Sequence, residues 1–399
     1  MTRLLQPFLL FTVCCLFASC YDEPWERGDV DGYVPIYSTD ATLKQISFQP
    51  PRKTVNGGKL FTAGTNVLQE EMDSGLHIIS YQDPAHPVKT GFLRIPGFQV
   101  AAIEGDYLYA NNYNDLIAIP LKALSANMMV GRVTSVWTQV NYPTATDAGY
   151  FECADPSKGI VIGWRKARIK NPKCRIPSRG YDGLPPSKAN NRSNPGLVAS
   201  GGKLYLVSPE ALAVYSLSAP GQPVILNERN MPGSRVDTIF LFNKELAVMN
   251  TGALDLYDTA NISSSHYYYY SVPYCLKLMA IGDTAYGITD RRCGNAAYLT
   301  QYSLRKDTNT LVELSRLSIP VANAFAAAGR YIYVAEESGF TIIDATRKTP
   351  EIAGDVNSYN YSDVVVNGNL LFFHSDREIA CYSLATSPVN PVLISNLPY

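Results

Sequence analysis

One short phrase recurs along the chain: a glycine, a β-rich strand, a tight turn and a second β-rich strand. Its best copies are Gly105-Asp106-Tyr107-Leu108-Tyr109 followed by Asp115-Leu116-Ile117-Ala118-Ile119, and Gly329-Arg330-Tyr331-Ile332-Tyr333-Val334 followed by Gly339-Phe340-Thr341-Ile342-Ile343-Asp344. Openings fall at Gly64, Gly105, Gly149, Gly201, Asn243, Gly282, Gly329 and Gly368, at intervals of 39 to 52 residues, and the Gly149 copy is the weakest. A unit of this size cannot bury both faces of its own sheet, so neighbouring units must cover them.

Several hairpins run on into a Pro-bearing turn and another strand, as at Asp83-Pro84-Ala85-His86-Pro87, Ala219-Pro220-Gly221-Gln222-Pro223 and Ser387-Pro388-Val389-Asn390-Pro391. Proline is tolerated where an edge strand begins. Each unit therefore reads as inner strand, hairpin and outer strand, which predicts an all-β chain folded as a single β-propeller of four-stranded blades. Eight blades are favoured, or seven if the Gly149 hairpin is an insertion. Two stacked β-sandwiches also give evenly spaced strands, but they do not explain one phrase repeated along the whole chain.

The N-terminus reads as an address. Arg3 precedes a largely apolar run from Leu4 to Phe17, and Ala18-Ser19 lead into Cys20, the layout of a signal peptide over residues 1–19. Leu16-Phe17-Ala18-Ser19-Cys20 resembles a bacterial lipobox, with Phe17 standing where Leu is usual, and implies lipid attachment at Cys20. Several acyl chains on one cysteine hold a soluble domain on a bilayer. Residues 20–56 then form a lipidated linker and lead-in strand, and 57–399 the propeller. Tyr21-Asp22-Glu23-Pro24-Trp25-Glu26 resembles the acidic tract that sends some lipoproteins to the cell surface, and equally suits a solvated linker.

Gly75-Leu76-His77-Ile78-Ile79-Ser80, the stretch Phe92-Leu93-Arg94-Ile95-Pro96-Gly97 running into Tyr107-Leu108-Tyr109-Ala110, and Gly339-Phe340-Thr341-Ile342-Ile343-Asp344 resemble the LVIVD-repeat proteins, and more narrowly the surface-type lipoproteins of Gram-negative bacteria. Gly159-Ile160-Val161-Ile162-Gly163-Trp164 and the pair Cys275 and Cys293 match features of those lipoproteins, whereas Gln99 and Asn111 stand where relatives tend to carry Asp. The resemblance implies a propeller and export; with the lipobox this gives an outer-membrane, lipid-anchored location, facing either the periplasm or the cell surface. It implies no catalytic residue.

Cysteines of an exported chain can pair. By spacing, the nearest neighbours are Cys153 with Cys174 and Cys275 with Cys293, with Cys381 left over as a buried thiol; spacing does not prove the connectivity. The four histidines, His77, His86, His266 and His374, lie in different units and have no paired spacing, so neither a metal nor a cofactor is expected. His77 and His374 read as structural. No nucleophile elbow, P-loop or dinucleotide fingerprint occurs. The acids Glu336, Glu337, Asp376 and Glu378 flank hairpin turns and read as solvated.

Lys+Arg total 34 against Asp+Glu 35, a balance that argues against nucleic acid. Nine of those cations crowd into residues 165–192 against the single acid Asp182. With Pro172, Pro177, Pro185, Pro186 and Pro195 this reads as a basic loop insertion at about 165–195. Arg165, Lys166, Arg168, Lys170, Lys173, Arg175 and Arg179 are its candidate ligand-binding residues. Arginine forks suit phosphates or uronic acids, and long loops on a rigid ring carry binding. The alternative is a solvated insertion tethered by Cys153 and Cys174.

The expected function is a monomeric, non-enzymatic, anchored binding module for an anionic glycan or an envelope protein. A carbohydrate-active hydrolase or lyase with carboxylates converging on the axis is one alternative, since propellers assemble such pairs from different blades. An envelope assembly scaffold is another. The run Tyr267 to Tyr270 reads as an outer edge strand, or as rings for stacking on sugars.

Overall fold

The computed structural model describes residues 28–137, 150–175, 196–208, 211–231, 236–242, 245–250, 253–263, 265–269, 276–282, 284–289, 297–305, 310–346 and 348–399. The chain divides into two compact units, one built from 1–38 with 143–183, the other from 39–142 with 184–399.

The larger unit holds seven antiparallel sheets in chain order. Their innermost strands are Gly57–Ala63, Ala101–Glu104, Gly196–Ser200, Val236–Phe242, Leu276–Ile281, Ala322–Ala328 and Asp363–Asn367. Each runs into three further strands in sequence order, and Ser47–Gln49 adds a fifth strand to the first sheet. Between the first and second strands the recurring glycine takes the left-handed conformation: Gly64, Gly105, Gly201, Gly282, Gly329 and Gly368 have φ between 56° and 61°. The repeated hairpin is thus the second and third strand of each sheet.

Alternation puts one apolar row on each face of a sheet. Leu68, Leu76 and Ile78 of the first sheet pack on Leu108, Ile117 and Ile119 of the second. The same pattern continues sheet by sheet. The seventh sheet returns to the first, with Phe372, Ile379 and Cys381 packed against Leu60, Val67 and Ile79. Closure therefore comes from side-chain packing between separate sheets, as in a β-propeller, rather than from one sheet closed on itself. Two backbone-directed bonds fasten the seam: Leu60 N donates to Asp363 Oδ2 at 2.7 Å, and Asn367 Nδ2 donates to the Gly64 carbonyl at 2.7 Å. Cys381 is a buried free thiol, its pKa pushed up to about 12 by burial.

A bulge recurs at one height on the outer strands. The register skips Thr90, Leu226, Leu314, Ala353 and Ile394 in the first, third, fifth, sixth and seventh sheets. Ser47–Gln49 pairs only with Phe92–Arg94, beyond the Thr90 bulge.

The smaller unit is a separate four-stranded sheet in the order Ile160–Ile169, Val30–Ser38, Tyr150–Phe151, Cys174–Arg175. The strands of the Gly149 hairpin therefore belong to this sheet, where Ile160–Ile169 pairs antiparallel with Val30–Ser38. Residues 165–169 of the segment read as a basic loop are strand. The signal peptide, Cys20, Gly149, Arg179, Cys275, Cys293 and Tyr270 lie outside the described residues.

Candidate binding site

The basic segment is built on the small sheet. Ile160–Ile169 is its edge strand, and the chain turns at Asn171 before Cys174 bonds to Cys153 with a Cα–Cα distance of 5.2 Å. One of the two spacing-based disulfides is thus formed. It ties the end of the basic run to the strand pair Phe151–Cys174.

Arg165, Lys166, Arg168, Lys170 and Lys173 are all exposed. Among the described residues, Arg165, Lys166, Lys170 and Lys173 form no ion pair. Arg168 makes one long contact, 3.5 Å from Nη2 to the Asp29 carbonyl. The acids Glu152 and Asp155 of the same unit lie instead near Lys158, at 4.0 and 3.9 Å. Arg175 pairs by backbone with Tyr150. Structure brings five of the seven candidate cations onto one strand and the turn that follows it.

Register sorts these side chains between the two faces. Lys166 lies opposite Tyr33 and Arg168 opposite Asp31, whereas Arg165 lies opposite Val34. Partners directly across a ladder share a face, and neighbours along a strand alternate. Trp164, Lys166 and Arg168 therefore share a face with Tyr33. The edge-on contact of Trp164 with Phe151, 5.4 Å between centroids, agrees, because Phe151 is itself paired with Tyr33. Trp164 and Tyr33 were not singled out from the sequence as ligand contacts.

In the larger unit, polar residues gather at the hairpin ends. The sixth position counted from the start of each second strand is Glu71, Asn112, Ser208, Asn250, Thr289, Glu336 and Ser375. Most of these side chains cap the turn or the incoming backbone. Glu71 accepts from Val55 N at 3.1 Å and Asn56 N at 2.8 Å; Asn112 donates to the Pro96 carbonyl at 2.7 Å. Thr289 accepts from Tyr298 N at 2.9 Å and Ser375 from Glu378 N at 3.0 Å. Glu71 also meets His77 Nε2 at 2.9 Å. Burial alone would raise the Glu71 carboxyl, but His77 and the two amides outweigh it and keep it ionised, while burial keeps His77 neutral. Nε2–H then donates to Glu71.

Glu336 differs from Glu71, Thr289 and Ser375. It is buried, not solvated as the sequence suggested; among the described residues its Oε1 has no partner, and burial with nearby Asp355 outweighs a hydrogen bond from Thr341 and raises its pKa. Asp376 is exposed and Glu378 half-buried. Glu104 ends its inner strand, whereas Asp363 begins its own and Asp237 is the second residue of its strand, so these acids do not all lie at one end of their sheets. His374 gives Nδ1 to a 2.6 Å contact with Ser362 Oγ, and among the described residues no group of three or more His, Cys, Asp or Glu is arranged to hold a metal. Ser265–Tyr269 is the outer strand of the fourth sheet.

No family model matches the chain, and no curated protein matches it in sequence. Its fold is similar to a crystal structure of a protein from Lactobacillus plantarum, at a TM-score of 0.52 and 10% identity over 92% of this chain and 96% of that one. Further solved structures are a putative 6-phosphogluconolactonase from Bacteroides uniformis, with TM-score 0.48 and 9% identity over 84% of this chain and 98% of that one, and the WD40 β-propeller domain of Doa1, with TM-score 0.47 and 8% identity over 82% and 94%. At such identities the likeness is one of fold alone.

Proposed function

We propose that this chain is a monomeric, non-enzymatic binding module: a seven-bladed propeller of the LVIVD-repeat lipoprotein kind, tethered to the outer membrane through Cys20, that engages an anionic glycan at the cell surface. Seven sheets packed in a cycle, with the strands of the Gly149 hairpin in the smaller unit, support that blade count. The N-terminal pattern ending in Ala18-Ser19-Cys20 supports the tether.

The reading is carried by one observation. Among the described residues, four exposed cations without acidic partners follow one another along a single edge strand and its stapled turn. Unpaired cations held by a rigid sheet attract polyanions without first breaking internal ion pairs.

The test is titration of the disulfide-intact mature protein with an acidic and a neutral polysaccharide. The acidic polymer should bind with an affinity that falls as salt rises. Replacing Arg165, Lys166 and Arg168 together by Ala should weaken it by about threefold or more, since each charged contact is worth roughly 0.2 to 1 kcal/mol at an exposed site. Unchanged affinity in the triple variant overturns the reading. Incorporation of labelled fatty acid, abolished by Cys20→Ser, tests the tether separately.

A further inference from the structure

The face that carries Lys166 and Arg168 is more than a charged strip. Trp164 precedes them on the same face of the strand, and Tyr33 stands directly across from Lys166. Both aromatic side chains are half-buried, while Lys166 and Arg168 are exposed. The Trp164 Nε1 atom is buried and unpartnered, so the polar edge of the indole points into the protein. Any part of this half-buried ring that reaches solvent is therefore carbon. Its contact with Phe151 fixes that orientation, and the Cys153–Cys174 bond holds the Phe151 strand beneath it.

We infer that this face is a subsite for an acidic polysaccharide of uronate type, in which sugar rings lie against Trp164 and Tyr33 while Lys166 and Arg168 take their carboxylates. The inference rests on the binding reading above and narrows it. A polyuronate alternates an apolar ring face with a carboxylate; the strand supplies an aromatic surface and then cations, with about 6.6 to 6.8 Å between Lys166 and Arg168 along the strand. Aromatic rings add stacking against the C–H face of a sugar, and the Arg168 fork suits a planar carboxylate. A polyanion without rings can use only the cations. Asp31, opposite Arg168 in register, is the one acid on this face of the strand pair and disfavours a ligand of closely packed charge.

The experiment compares polygalacturonate, polyglutamate, neutral dextran and anionic phosphatidylglycerol vesicles by calorimetry on the full mature protein. Polygalacturonate should bind about five- to tenfold tighter than polyglutamate, the gain expected from one or two aromatic contacts. Trp164→Leu should lose that margin and leave polyglutamate binding unchanged, whereas Trp164→Tyr should retain it. Lys166→Ala with Arg168→Ala should weaken both polymers. Quenching of wild-type tryptophan emission by polygalacturonate and not by polyglutamate gives a readout that needs no variant. Equal affinity for the two polymers, or for vesicles and polygalacturonate, overturns the aromatic subsite while leaving a charge-only module. Absence of binding to every polyanion overturns the module itself.

Discussion

Leu60 and Asp363 lie 303 residues apart and meet at 2.7 Å, the Leu60 amide donating to the Asp363 carboxylate where the last sheet closes on the first. Inner strands of adjacent sheets seldom share a backbone ladder, so this bond replaces the missing pairing at the seam. Asp363→Ala leaves the Leu60 amide without an acceptor and should cost about 1 to 3 kcal/mol in urea unfolding. Asp363→Asn keeps an acceptor oxygen and should cost less. Burial raises the Asp363 pKa, so the folded state takes up this proton first and gains stability as pH falls toward that pKa, a gain that Asp363→Asn should abolish.

His374 lies at the same seam, its Nε2 2.8 Å from where a Cβ on Gly57 would stand. Burial pushes its pKa down to about 4 from 6.5, so the folded protein holds the neutral ring. Its contribution is present above pH 6.5 and is lost as pH falls toward 4, because the unfolded state takes up the proton first. The loss should approach about 3 kcal/mol across that window. Denaturant midpoints at pH 7 and pH 5 should differ more for the native chain than for His374→Gln.

Gly75 and Gly339 occupy equivalent turns with φ of 139° and 127°, where a Cβ would stand 2.0 Å from the Leu93 carbonyl and 1.9 Å from that of Val356. Gly339→Ala should therefore destabilise by at least about 2 kcal/mol, since backbone must move as well as strain. Gly329 at φ 58° faces open space, and Gly329→Ala should cost only about 1 kcal/mol. Thermal scans of the pair separate a clash from a conformational cost.

The Cys153–Cys174 bond spans a separation of 21 residues. Closing a loop of that size should stabilise the small unit by about 3 kcal/mol. The double Ser variant should be cut by protease within 150–175 while the larger unit survives. Cleavage spread evenly through the chain would contradict this.

The hairpin phrase was readable because glycine at φ near 58° and apolar alternation repeat with little change. The sixth-position polar residues were not. Their role is met by a carboxylate at Glu71, an amide at Asn112 and hydroxyls at Ser208, Thr289 and Ser375, so chemistry recurs while identity does not. Counting from the turn glycine would have found them. The small sheet was hidden for a different reason: Val30–Ser38 pairs with partners more than a hundred residues away, beyond any local periodicity. Charge and proline then made 165–169 read as loop, although Arg and Lys commonly guard the edge of a sheet. Trp164 and Tyr33 became a shared surface only through that pairing.

The bulges at Thr90, Leu226, Leu314, Ala353 and Ile394 carry a consequence for how such molecules tolerate crowding. Each kinks the rim midway, so a neighbouring copy meets only a short straight run before hydrogen bonding is interrupted. The first sheet shows the limit, since even its own added strand is three residues long and stops short of the kink. At those five sheets, neighbouring copies in a dense array can therefore sit side by side without zipping together, despite the exposed aliphatic side chains Val88, Leu226 and Val392.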